Sequence, residues 1–292
     1  MTEPPTGQRV IFNADDFGRS ASINEAVIRA HREGVLTSAS LMVNGAAFEE
    51  AVELARANPN LGVGLHLTLV RGRATLSRTR IPGLVNSKGG FSDNAVAAGM
   101  RCFFNRSLRS QLEAEMRAQL EKFNATGLSL DHVNGHLNFH LHPVVFDVLL
   151  GLFERIRANL ATAATKGDRS VALPAVRLTR DPFWLNARLA GSQWLYRATH
   201  AFIYLVLSGR ARGRLRKHGI RFAPHVFGLL QSGRTDEAYL LKLLPALPVG
   251  DVEIYSHPNT AGFRHELDAL VSPRVIALTK KLGIRRCRYQ DL

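Results

Sequence analysis

Residues 9–34 read RVIFNADDFGRSASINEAVIRAHREG, and the passage changes its period part-way through. Val10, Ile11 and Phe12 make a short continuous apolar run, the pattern of a parallel strand buried on both faces. From Ser22 onward apolar residues recur at helical spacing. Ser22 and Glu25 stand in capping-box relation, and Gly34 supplies a stop. A strand, a polar turn and a helix in that order form the first part of a βαβ unit.

The alternation continues along the chain. Short β-branched runs at 9–13, 38–43, 62–69, 128–133, 175–178, 220–224, 252–256 and 284–289 predict strands. Helical patterns fill the intervals, for example at 48–58, 108–123, 143–161, 236–247 and 273–283. Such repetition in 292 residues predicts one α/β domain, a (β/α) barrel-like fold of seven or eight parallel strands, irregular in form. An open doubly wound sheet is the alternative. Residues 70–106, rich in Gly, Arg and Ser, read as a long loop on the side of the strand ends.

Composition narrows the class. The two cysteines, Cys102 and Cys287, lie far apart, which argues against a disulfide scaffold and against a thiolate metal site. The first 16 residues lack the pattern of a secretory signal, and no apolar stretch reaches the roughly 18–20 residues of a spanning helix. A cytoplasmic protein is therefore expected.

The net charge of +14 is unevenly placed: residues 182–235 contain nine Arg and Lys and no Asp or Glu. Neither an aromatic-basic RNA signature nor a helix-turn-helix accompanies it, so nucleic acid is not expected as a partner. Within a helical insertion at about 183–221, Phe183, Trp184, Leu185, Leu189, Trp194, Leu195 and Tyr196 precede the run AFIYLVL at 201–207. Arg210, Arg212, Arg214, Arg216 and Lys217 follow. Apolar bulk beside basic residues predicts peripheral contact with a membrane face. The competing reading is a barrel-covering helix with solvated arginines.

The polar residues that need explaining fall at the C-terminal ends of predicted strands, the edge on which such folds build active sites. Asp15 and Asp16 follow the first strand, and adjacent carboxylates repel unless a cation or shared proton relieves them. Alternatively, one caps the next helix and the other is solvated. His66 interrupts the apolar strand GVGLHLTL; alone it reads more readily as a satisfied core histidine than as a ligand. The cluster His132, His136, His140 and His142 shifts that balance, because imidazoles with one carboxylate suit Zn²⁺ or a similar divalent ion. Not all four can hold one ion; His140 and His142, ahead of Pro143, are open to substrate, supporting or helix-start roles. Arg177 and His257 end two further strands.

Taken in order, NADDFG, the Gly-Leu-His strand, the His-rich segment ending in His-Pro and a late Ser-His-Pro resemble the YdjC/ChbG carbohydrate deacetylases. The resemblance runs from Val10 to the terminal RYQDL, and is nearest to the deacetylases associated with hopanoid biosynthesis. It implies a barrel-like fold and removal of an N-acetyl group from a glucosamine-type sugar carried on a hopanoid lipid. Soluble oligosaccharides, or another amide or ester, are the alternatives. It also implies one divalent metal held by Asp16, His66 and His136, with Zn²⁺ favoured by ligand chemistry and Mg²⁺ open. Asp15 corresponds to the base and His257 to the late histidine, the candidate acid. Arg177 either holds Asp15 ionised or is an ordinary surface arginine. Asn138, His140 and His142 are candidate substrate-binding residues. Where the family often has Asp-Ser-His-His-His, this chain reads Asn134-Gly135-His136-Leu137-Asn138, so a different substrate is expected. A homodimer is among the assemblies this reading allows.

Overall fold

The computed structural model describes residues 7–164, 173–189 and 194–292. In order the elements are β1 (Arg9–Phe17), α1 (Ala21–Glu33), β2 (Ser38–Leu41), α2 (Phe48–Arg56), β3 (Gly62–Leu67), α3 (Ala95–Phe104) and α4 (Leu108–Asn124). Then follow β4 (Leu130–Gly135), α5 (Pro143–Ala164), β5 (Ala175–Val176), α6 (Phe183–Leu189), α7 (Trp194–Lys217) and β6 (His225–Phe227). The chain ends with α8 (Glu237–Leu243), β7 (Asp251–Ser256), α9 (Arg264–Leu270), α10 (Pro273–Lys281) and β8 (Arg285–Arg286).

Seven strands lie side by side in the order β5-β4-β3-β2-β1-β7-β6, every pair parallel, as a half-barrel. β8 pairs with Arg9 and Val10, at the start of β1. The irregular seven-stranded form is therefore the one adopted, and a closed barrel is not. Its end strands are too short to ladder together, two residues in β5 and three in β6. Among the described residues, two isolated backbone bonds cross that gap, Val176 N to Arg221 O at 2.9 Å and Val226 N to Arg180 O at 3.1 Å.

Several local expectations are corrected. The α1 cap is Ser20, whose Oγ accepts from Ile23 N, while Glu25 instead accepts from Thr260 Oγ1. Residues 70–106 are not all loop, since they contain α3. The strand expected at 220–224 lies at His225–Phe227. Ile220 N still bonds Leu215 O as part of the α7 C-terminus, and Pro224 has no N–H to give a ladder. The last strand shrinks from 284–289 to Arg285–Arg286. The expected insertion at 183–221 becomes α6 and α7; residues 190–193 and the side chains of Trp194 and Tyr196 lie outside the description. Gly34 does stop α1, and it must be glycine: a Cβ there would sit 2.2 Å from the Leu270 carbonyl oxygen.

Candidate active site

β1 delivers two carboxylates to the C-terminal edge of the sheet. Asp16 takes a left-handed backbone (φ 67°) and Gly18 follows at φ 88°, so the chain turns sharply there. That turn aims Asp16 at two imidazoles from neighbouring elements. Its Oδ1 lies 3.3 Å from His66 Nε2, on β3, and 3.0 Å from His136 Nδ1, just beyond β4. All three residues are buried, and their ligand atoms lie within 4.8 Å of one another. Leu137 and Asn138, directly after His136, also have positive φ (53° and 54°), so strained backbone gathers around the triad.

The donor set fits a divalent cation. His66 Nδ1 lies 2.7 Å from Asn134 Oδ1, an acceptor, so Nδ1 carries the proton and Nε2 presents its lone pair toward Asp16. Burial works against a charged His66, yet Asp15 and Asp16 raise its pKa. Burial likewise opposes charge on Asp16, but the close approach of His136 and His66 holds it well below the usual carboxylate range. The pocket thus concentrates negative charge where a cation would sit.

Asp15 faces a different partner. The Arg177 guanidinium grips it with both nitrogens, Nη1 to Oδ2 at 2.6 Å and Nη2 to Oδ1 at 2.9 Å. Against the desolvation of burial, that charge and the neighbouring His66 hold Asp15 far below its ordinary pKa. Arg177 is fully buried, so it is no surface arginine. It is also held from behind: Glu253 Oε1 accepts from Nε at 2.9 Å and Nη2 at 2.6 Å, and the Tyr255 ring lies 4.2 Å away. Asn134 Nδ2 donates to Asp15 Oδ1 at 3.2 Å and to Ser40 Oγ at 2.8 Å, linking Asp15 to the support of His66.

These groups open into a cleft of about 770 Å³, lined by Asp15, His66, His136, Asn138, Tyr255 and His257 among others. His257 is fixed by its backbone N donating to Glu266 Oε2 at 2.5 Å. Asn138 lies in the cleft wall, with Thr179 Oγ1 donating to its Oδ1 at 2.8 Å. His142 lines the cleft farther out, stacked on Phe139 at 5.5 Å. His140 does not line it. It is fully buried, its Nε2 lies 3.0 Å from the Arg177 carbonyl, and burial pushes its pKa down to about 3. His132 is also core: its Nδ1 meets Asp131, its Nε2 meets Ser40, and its ring stacks on Tyr289.

Sequence reasoning missed Asn134, Ser40, Glu253 and Tyr289 as supports. Glu253 had the same signal as His66, a polar residue amid an apolar strand. Tyr289 had none.

A family model described as YdjC-like protein matches residues 9–281. The chain belongs to the YdjC-like family. A carbohydrate deacetylase of Brevibacillus brevis is 42% identical to this YdjC-like chain over 152 residues, 51% of this chain and 57% of that protein. One of Geobacillus stearothermophilus is 41% identical over 57% of this chain and 63% of its own length, so these bacterial matches span under two thirds of the relatives. A carbohydrate deacetylase of Mus musculus is 30% identical across 97% of this chain and 94% of its own. An Enterococcus faecalis V583 crystal structure, described as a candidate cellobiose-phosphate cleavage protein, shares the fold with a TM-score of 0.70. It covers 98% of this chain and 99% of that one at 22% identity.

Proposed function

We propose that this YdjC-like protein is a metal-dependent hydrolase that removes the N-acetyl group from an N-acetylglucosamine-type sugar carried on a lipid of the hopanoid class. The observation that carries the reading is the buried Asp16, His66 and His136 triad beside an Asp15 clamped by Arg177, all at one cleft. The relatives named carbohydrate deacetylases support it.

Asp16, His66 and His136 would hold the ion, three protein ligands that leave positions open. When bound, it supplies Lewis-acid polarisation of the amide carbonyl and a lowered water pKa; Zn²⁺ suits the set best and Mg²⁺ is the alternative. Asp15 takes the proton of the attacking water, with Arg177 fixing the carboxylate so that one orientation is presented. His257, across the cleft lining, protonates the departing amine. Asn138 and His142 face the same space and contact the substrate; His140 holds the Arg177 carbonyl behind the wall.

The lipid carrier is supported by the cleft walls, where α3 gives Val96, Met100, Phe103 and Phe104 and α7 gives Ile203 and Leu207. Among the described residues no helix is long and apolar enough to cross a membrane. In this reading the protein meets such a substrate as a peripheral partner at the cytoplasmic face of the membrane.

The deciding assay is acetate release from a lipid-linked and a water-soluble N-acetylglucosaminyl substrate, before and after chelation and repletion with Zn²⁺ or Mg²⁺. Release that stops on chelation and returns with metal is expected, with the lipid-linked substrate preferred. Indifference to chelation refutes metal dependence. Equal turnover of the soluble substrate removes the lipid carrier, and ester cleavage without acetate from any amide makes the site another hydrolase.

A further inference from the structure

The walls of the cleft continue into exposed apolar surface on two separate helices. On α3, Val96, Met100, Phe103 and Phe104 are 55–77% exposed. On α7, Phe202, Ile203, Leu205 and Val206 are 51–68% exposed. His200, Ile203, Tyr204 and Leu207 follow helical spacing and line the cleft. Phe202, Leu205 and Val206 lie off that stripe and do not line it. α7 is therefore apolar on more than its cleft-facing side through residues 201–207, a pattern that calls for burial in something.

Charge identifies what covers it. Both helices lie in acid-free, basic stretches: residues 94–112 carry Arg101, Arg106 and Arg109, and residues 182–235 carry nine Arg and Lys. Exposed Arg106 and Arg109 follow Phe103 and Phe104, while exposed Arg210, Arg216 and Lys217 follow the apolar part of α7. A second copy pressed on this face would set like charges against each other, in a chain of net charge +14. An anionic bilayer accepts both the apolar side chains and the basic ones.

We propose that α3 and α7 together form a docking face for an anionic lipid surface, with the mouth of the cleft between them. The proposal deepens the lipid-linked-sugar reading and rests on it for its purpose, whereas the docking is a property of the surface and is measured without turnover.

The test is co-sedimentation of the full chain with phosphatidylcholine vesicles, and with vesicles that also contain phosphatidylglycerol, at low and high salt. Binding to the anionic vesicles is expected, stronger than to neutral ones and weakened by salt. A Phe202→Ser, Leu205→Ser, Val206→Ser variant should lose vesicle binding by about ten-fold or more. An Arg210→Gln, Arg216→Gln, Lys217→Gln variant should lose the anionic preference. None of these six residues lines the cleft, so both variants should keep wild-type circular dichroism, bound metal and acetate release from a soluble N-acetylglucosaminyl substrate. Absent binding, equal binding to both lipids, or binding unchanged in both variants overturns the proposal. So does a lipid-free dimer in analytical ultracentrifugation that the apolar variant abolishes, which would give the face to a second copy. Vesicle binding without acetate release refutes the proposed function and leaves the docking face standing; acetate release without vesicle binding does the reverse.

Discussion

Asp15 and Asp16 are neighbours in the chain but sit in different electrostatic settings. Asp16 faces two imidazoles whose nitrogens approach the same oxygen, so three lone-pair-bearing groups converge on a point that a proton or a cation would reconcile. Asp15 is paired with Arg177, a guanidinium it shares with Glu253, so it has a cationic partner without an ion. Asp16→Ala, His66→Ala and His136→Ala should each strip bound metal and abolish acetate release, measured by elemental analysis beside the activity assay. Asp15→Asn and His257→Ala should retain metal and lower kcat by about 10²–10⁴, the range of a positioned proton-transfer group. Metal loss in His257→Ala would make that residue a ligand. Near-wild-type turnover in Asp15→Asn would remove it as the base.

At the scale of elements, one buried carboxylate organises the cleft's approach. Glu115 on α4 is fully buried, accepts from Thr75 N at 2.8 Å and Leu76 N at 2.9 Å, and is braced by Gln119 Nε2 at 2.8 Å. Gln119 in turn accepts from Thr68 N and donates to Thr68 O, beyond β3. The segment between β3 and α3 is thus tied to α4 by side chains, while antiparallel backbone bonds such as Phe91 N to Gly72 O at 2.8 Å hold it to itself. Glu115→Ala should cost about 1–3 kcal/mol by orphaning two backbone donors. Urea unfolding checks the cost, and a limited-proteolysis cut appearing within 70–93 checks its place. Unchanged stability together with an uncut segment would show that the tether is idle. This tether was not legible in the sequence, where Glu115 looks like any helical glutamate. The α3 helix was hidden for a related reason: apolar residues on its exposed side blur the contrast that marks an amphipathic helix. The βα alternation and the strand ends that bring Asp16, His66 and His136 together were legible, because buried parallel strands leave apolar runs and interrupting polar residues stand out. Strands of two residues leave no period to read.

Across the whole molecule, the C-terminal segment reaches the residues behind the cleft from the far end of the chain. β8 pairs with the start of β1, and beyond it Gln290 N donates to Asp131 Oδ1 at 2.8 Å. This places Tyr289, fully buried, against the His132 ring and brings its hydroxyl to Glu253 Oε2. Glu253 uses its other oxygen on Arg177, and Arg177 holds Asp15. Two carboxylates therefore flank one guanidinium in a buried site, and the tyrosine hydroxyl donates to the second of them. Without that donor, Glu253 Oε2 loses a hydrogen bond in a place water cannot easily reach, and its charge competes harder for Arg177. Tyr289→Phe should thus lower stability by about 1–3 kcal/mol. It should also lower kcat while leaving KM and bound metal close to wild type, since no cleft-lining residue or ligand is altered. Cys287→Ser, buried in the same apolar cluster as Tyr289, separates loss of packing from loss of the hydroxyl. A Tyr289→Phe enzyme with wild-type kcat, even if less stable, would show that the terminal segment only closes the sheet and that Arg177 holds Asp15 unaided.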